Sequence, residues 1–238
     1  MTLFRYAVDW IMDLLFPPVC LVCGKVVRRG RVTCDDKCKN KLFRDRYGTA
    51  VTPSDAAGRR LGLLDGVCAS FVYREDDDLH GDAPGEGAAR NCVLQMKFHG
   101  KPWMAREMAL FMADDYKKSG FPRPDAVVPV PSYGKRSTNE PTALLARTMC
   151  DGLELVYDDR FLVKVRETAK QHRISRAERD VNLSDAFYAG APGSLAGKTV
   201  LIVDDVLTSG NTLNECASAC RRAGALKVYA SVFAVRKK

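Results

Sequence analysis

The run Thr199-Val200-Leu201-Ile202-Val203-Asp204-Asp205-Val206-Leu207-Thr208-Ser209-Gly210-Asn211-Thr212 leaves a chain little choice of architecture. Thr199 to Val203 reads as a strand buried on both faces. Two carboxylates follow it, then hydroxyls and a glycine. From Thr212 to Ala223 the periodicity is helical, with Gly224 as the stop signal. A strand apolar on both faces that runs at once into a helix belongs to a parallel sheet covered by helices.

The rest of the chain agrees with an α/β fold. Strands are expected at Val67–Tyr73, Ala126–Val130, Phe161–Val165 and Val228–Val235. Helices are expected from Ala88 to about Phe98, Trp103 to Lys118 and Pro141 to Cys150. Glu75 to Gly87, acidic and glycine-rich, reads as a surface loop. Residues 48–64, rich in Gly, Pro, Ser and Thr with Arg59-Arg60, read as a linker. Ahead of Pro17-Pro18 a short amphipathic helix is expected to pack on its own domain. Asp9 and Asp13 make it too charged and too short to span a bilayer, and it has no signal-peptide cleavage pattern. With 238 residues, 46% of them hydrophobic, the chain can bury a full-sized domain and a small module. The expected division is 1–47 as an N-terminal helix and cysteine module, 48–64 as linker, and 65–238 as the main domain.

Lys and Arg number 37 against 29 Asp and Glu, a net +8, which favours anionic partners without choosing among them. Nine cysteines make a poor disulfide framework and fit a reducing, cytoplasmic compartment. Cys20-x-x-Cys23 and Cys34-x-x-x-Cys38 flank a basic loop, Gly24 to Thr33. Four thiolates at that spacing suit tetrahedral zinc, and Gly24 suits a knuckle turn. In a segment with so little core, the metal would supply folding free energy. Cys68, Cys92, Cys150, Cys216 and Cys220 read as buried structural thiols.

The acid pair and the loop behind it suggest a ligand with two chemistries. In open parallel sheets ligands bind beyond the carboxyl ends of the strands, which puts Asp204 and Asp205 at the binding edge. Backbone N–H groups at the following helix start can take a phosphate. Gly210 allows close approach, and Thr208, Ser209 and Thr212 add hydroxyl donors beside Asn211. Carboxylates repel phosphate, so they need another target, and the vicinal hydroxyls of a ribose are apt. Two further segments supply cations. Val128-Pro129-Val130-Pro131-Ser132-Tyr133-Gly134-Lys135-Arg136 is a turn with two charges after a core strand, suited to a pyrophosphate. Arg166 to Phe187 is basic and weakly apolar, suited to a lid over a polyphosphate. His172 within it reads as incidental. Gln95-Met96-Lys97-Phe98-His99-Gly100-Lys101 closes a helix with a basic turn.

Val203 to Thr212 closely resembles the signature of type I phosphoribosyltransferases. That resemblance implies a type I phosphoribosyltransferase-like parallel sheet flanked by helices with a hood above it, and phosphoribosyl pyrophosphate with Mg²⁺ as ligand. A narrower resemblance is to the ComF family of competence and amidophosphoribosyltransferase-like proteins. It rests on Pro129-Val130-Pro131 before a basic loop, on Arg166-x-Thr168-x-x-Gln171 through Arg179-x-x-Asn182 to Phe187, and on Asp204 to Gly210. The family's N-terminal zinc finger matches the cysteine module. Its Lys-aromatic-x-Gly matches Lys97 to Gly100, near the site.

The resemblance implies roles residue by residue. Asp204 and Asp205 hold the ribose, and Thr208, Ser209, Gly210, Asn211 and Thr212 hold the 5-phosphate. Lys135, Arg136 and Arg173 steady the departing pyrophosphate with Mg²⁺. The alternative it implies is an accessory factor of natural transformation, handling single-stranded DNA beside a helicase partner. A third reading is a sensor that binds without turnover, and a second copy of the chain is a further candidate partner. The sequence departs from the family at Ser137-Thr138-Asn139-Glu140-Pro141-Thr142, where an Arg-Gly-aromatic-Asn-Gln stretch is usual. The acceptor of any transferred group is not legible.

Overall fold

The computed structural model describes residues 17, 19–28, 31, 33–44, 46–51, 61–73, 87–98, 104–132, 140–155, 157, 161–165, 186–191 and 193–236. The helix expected ahead of Pro17-Pro18 and the loop expected at 75–86 lie outside them, as do Lys135, Arg136, His172 and Arg173. In chain order the elements are α1 (Asp36–Arg44), β1 (Arg46–Val51), β2 (Gly66–Tyr73), α2 (Ala88–Phe98), α3 (Met104–Lys118), β3 (Ala126–Pro129) and α4 (Pro141–Leu153). After these come β4 (Val163–Lys164), β5 (Phe187–Tyr188), β6 (Thr199–Leu207), α5 (Asn211–Arg222) and β7 (Lys227–Arg236).

The apolar strands assemble as expected into one sheet, in the order β1-β2-β7-β6-β3. β2, β7, β6 and β3 run parallel, and β1 is an antiparallel edge. Each face is covered. On one side Leu201, Val203, Phe71 and Phe233 meet Met104, Met108 and Met112 of α3 and Leu145 and Met149 of α4. On the other, Val67, Val128, Val200, Ile202 and Val232 meet α5. α5 buries Leu213, Cys216, Ala217 and Cys220, spaced three and four apart so that they form one stripe. Full burial of each such large side chain stabilises by about 1.5–3 kcal/mol. After α5 the chain turns at Gly224 (φ 97°), where a Cβ would lie 3.1 Å from the Ala196 backbone, so both space and dihedral require glycine.

Three expectations need correction. The segment read as linker from residue 48 holds the end of β1, and Leu61 and Leu64 beyond it are buried. Composition suggested irregular chain, but an edge strand takes its hydrogen bonds from β2 whatever its own propensity. The strand expected to stop at Val203 runs on through both carboxylates to Leu207, because β7 pairs with it out to Val235. The strand expected at Phe161–Val165 is only β4, which pairs antiparallel with β5 in a separate ladder.

The cysteine segment is built onto the main body. Cys20, Leu21 and Leu42 are fully buried in the same core as Met104 and Phe233. Asn91 Nδ2 donates to Val22 O (3.0 Å) and the Cys92 thiol to Leu21 O (2.8 Å), so α2 grips the segment by its backbone. At the start of β1, Arg46 makes a two-pronged ion pair with the buried Asp115 of α3 and donates to Ser70 O. Its guanidinium also lies against the rings of Phe71 and Phe111.

Candidate functional site

β6 delivers the acid pair to the carboxyl edge of the sheet. Asp204 pairs in register with Val232 of β7, and Asp205 is buried. Consecutive strand residues project to opposite faces, so Asp204 stands on the side of Cys216 in α5 and Asp205 on the side of Lys97 in α2. The Asp205 N–H donates to Asp204 Oδ1 (2.9 Å). Asp204 keeps some exposed surface, yet protein atoms surround it closely. Burial first, and the Asp205 charge second, push its carboxyl up to about 8, with Lys97 pulling the other way.

Lys97, in the last turn of α2, sets its Nζ 2.6 Å from Asp205 Oδ2. Burial works against its charge, but the Asp205 carboxylate more than offsets this and the Lys97 ammonium is held above its usual range. The contact is a close charge-assisted one, in which the ammonium is the neighbour that Asp205 Oδ2 has among the described residues.

Beyond β6, Thr208 and Ser209 are exposed, and Gly210, with φ 86°, turns the chain into α5. Gly210 offers no side-chain cap. The Ser209 hydroxyl reaches Asn211 N–H only at 3.4 Å. The first turn of α5 therefore presents backbone donors toward the loop that holds Thr208 to Thr212. Asn214 Oδ1 accepts from Leu63 N–H (3.1 Å), tying α5 to the turn before β2.

One strand over, β3 ends level with the acid pair, Pro129 pairing with Val203. Lys135 and Arg136 fall in the chain between β3 and α4, outside the described residues. The described residues on either side meet: Ser132 N–H donates to Glu140 Oε1 (2.8 Å) and the Thr142 hydroxyl to Val130 O (3.0 Å). Glu140 and Thr142 belong to the stretch where the sequence departs from the family pattern. Their contacts were not foreseen, since nothing in the spacing shows that two residues eight apart will meet. Lys97 was placed near the site only by resemblance; its reach to Asp205 depends on the packing of α2. Arg173 falls between β4 and β5, whose ladder packs on α5 through Arg222, which donates to Phe187 O (3.1 Å).

The four cysteines singled out by spacing do converge. The sulfur atoms of Cys20, Cys23, Cys34 and Cys38 lie within 4.8 Å of one another, with 3.5 Å between Cys23 and Cys34 and 3.6 Å between Cys34 and Cys38. A tetrahedral zinc with Zn–S near 2.3 Å spaces its sulfurs by about 3.8 Å. Gly24 (φ 73°) makes the knuckle, its N–H donating to Cys20 O (2.8 Å). Asp35 caps α1 by accepting the Cys38 N–H (2.7 Å), which orients Cys38, and that bond holds the Asp35 carboxyl below its usual range. Burial, then the adjacent Cys23, pushes the Cys34 thiol up to about 11. A divalent cation reverses such a shift, because coordination deprotonates a thiol outright. The donor set thus fits zinc.

The phosphoribosyl transferase domain model matches residues 106–238. The DNA utilization protein YhgH of Salmonella typhi is 32% identical over 143 residues, 57% of this chain and 62% of that protein. Competence protein F of Haemophilus influenzae is 30% identical over 141 residues, 56% of this chain and 61% of its own. The chain thus spans about three fifths of the length of these curated relatives. Among solved structures, the glutamine phosphoribosylpyrophosphate amidotransferase of B. subtilis is 22% identical, covering 54% of this chain and 25% of that one, with a TM-score of 0.38. The hypoxanthine phosphoribosyl transferase of Trypanosoma cruzi is 22% identical over 55% of this chain and 62% of that one, with a TM-score of 0.35. With the domain model matched over more than half of its residues, the chain belongs to the phosphoribosyl transferase domain family.

Proposed function

We propose that the protein binds phosphoribosyl pyrophosphate with Mg²⁺ at the end of β6 and can pass the phosphoribosyl group to an acceptor. The observation that carries this is one continuous path: the buried acid pair of β6 leads through Thr208 and Ser209 to the capless first turn of α5. Asp204 and Asp205 accept from the ribose hydroxyls. The backbone N–H groups and hydroxyls from Thr208 to Thr212 hold the 5-phosphate, charge-assisted bonds of about 1.5–3 kcal/mol each. Lys135, Arg136 and Arg173 meet the pyrophosphate. Mg²⁺ is a hard cation whose natural ligands here are the pyrophosphate oxygens, and bound with them it would neutralise charge on the leaving group. In the transfer, the C1–O bond to pyrophosphate breaks and a nucleophile attacks the other face of the oxocarbenium-like carbon.

Residues 1–47 would form a zinc-stabilised module, held by Cys20, Cys23, Cys34 and Cys38, and 65–238 the ligand-binding domain. A reduced, cytoplasmic setting suits these thiols. No described helix is long and apolar enough to cross a membrane. Titration calorimetry with phosphoribosyl pyrophosphate and Mg²⁺ tests the reading. Saturable heat in the wild type, lost in Asp204→Asn, is expected; no heat, or equal heat in both, would sink it.

A second reading has one observation in its favour. Between α1 and α3 a groove of about 620 Å³ is lined by Arg31, Thr33, Asp35, Asp36, Lys39, Phe43 and Phe111, with Phe43 45% exposed. The exposed Phe43 ring is a surface on which a base of a single-stranded nucleic acid can stack, while Asp35 and Asp36 balance the charge of Arg31 and Lys39. The names of the relatives, DNA utilization protein and competence protein F, point the same way. Affinity for an oligonucleotide that does not fall with salt would argue against it.

A further inference from the structure

Lys97 is the one described cation seated on the acid pair, and the sugar-phosphate reading gives it no task. Asp205 is buried, and Lys97 reaches its Oδ2 across the face opposite α5. The lysine side chain remains about one-third exposed (35%), and its ammonium carries three donors. Asp205 Oδ2 is fixed in place by that 2.6 Å contact. The Asp205 carboxylate would repel a phosphorylated ligand, burial strengthens that repulsion, and Asp204 adds to it as it ionises near pH 8.

We propose that Lys97 is a positioning residue of the sugar-phosphate site: it fixes the Asp205 carboxylate and offsets the negative charge of the acid pair, so that an anionic sugar phosphate can enter. The inference rests on the reading of this loop as a sugar-phosphate site. In the free protein Lys97 holds Asp205 Oδ2 toward the edge of the sheet. When the ligand arrives, a ribose hydroxyl donates to the carboxylate so held, and the ammonium offsets its charge beside the phosphates. The titratable groups around the pair come from each packed element: Lys97 from α2, Tyr73 from β2, Cys216 from α5, and the two aspartates of β6 themselves.

Ribose 5-phosphate is the probe, titrated calorimetrically from pH 6 to pH 9 against the full chain, Lys97→Met and Lys97→Arg, with circular dichroism melts of each. Lys97→Met is expected to bind about tenfold more weakly or worse, and Lys97→Arg to recover most of the loss. Lys97 lowers the Asp204 titration, so removing it should also move the midpoint of the affinity–pH curve upward. Equal affinity in wild type and Lys97→Met overturns the proposal while the sugar-phosphate reading stands. So does a uniform loss at every pH with a lowered melting temperature, which marks a merely structural lysine. If Lys97→Met does not fold, Lys97→Arg decides: wild-type affinity with an unmoved pH midpoint supports the charge role, and a tenfold loss overturns it. A wild type that does not bind ribose 5-phosphate defeats the sugar-phosphate reading, and this inference with it.

Discussion

Asp204 keeps its proton into a range where most carboxyl groups are ionised. Burial and the neighbouring Asp205 charge raise its folded-state value to about 8, against an unfolded value near 3.9. A group raised in this way favours folding most at low pH, and that stability is lost between about pH 4 and about pH 8, where only the unfolded chain has released the proton. The ligand-free protein should therefore melt at a lower temperature at pH 8 than at pH 6. Asp204→Asn should flatten the difference, raising the melting temperature at pH 8 while abolishing ligand binding. Scanning calorimetry at the two pH values checks this, and a variant no more stable than wild type at pH 8 refutes it. Gly224 makes a simpler case. Alanine there meets the Ala196 backbone at 3.1 Å in a left-handed conformation, so Gly224→Ala should destabilise by about 1–3 kcal/mol in urea unfolding. The identity of both residues was plain from sequence, as acid after strand and glycine after helix. The proton affinity of Asp204 was not, because it depends on the packing around the end of β6.

Among elements, those that bury a periodic apolar face were the legible ones. β2, α2, α3, β3, α5 and β7 each fall within a residue or two of where hydrophobic spacing puts them. β1 was not legible, since an edge strand needs only backbone partners and its Gly-Thr-Ala sequence signals nothing. The β4–β5 ladder failed for the opposite reason: Phe161 to Val165 is apolar enough to read as a core strand, yet only two of its residues pair, away from the main sheet. The cysteine segment was legible because metal spacing is a local code. Chelation should release one zinc per chain, measured by atomic absorption, and expose Leu21 and Leu42, seen as a rise in binding of a hydrophobic dye. Glu140 ties the start of α4 to Ser132, just after β3, through its carboxylate. Glu140→Ala should leave ribose 5-phosphate affinity near wild type and weaken binding of the full pyrophosphate ligand several-fold, separable by titrating both.

At the scale of the molecule the cysteine module and the main domain have one core, not two. Leu21 and Leu42 lie in the same apolar cluster as Val203, the residue just before the acid pair. Arg46 adds a polar bolt between β1, β2 and α3. Charge at this scale is the least specific guide: a net +8 admits sugar phosphates and nucleic acid alike. The helix that joins the two regions is α2. Its middle holds the cysteine segment through Asn91 and Cys92, and about one and a half turns later its end delivers Lys97 to Asp205, about 8 Å along the axis. A rigid helix anchored at both places is a lever. Loss of the metal should loosen one arm and lower sugar-phosphate affinity at the other, and by reciprocity the bound sugar phosphate should slow the removal of zinc by a chelator.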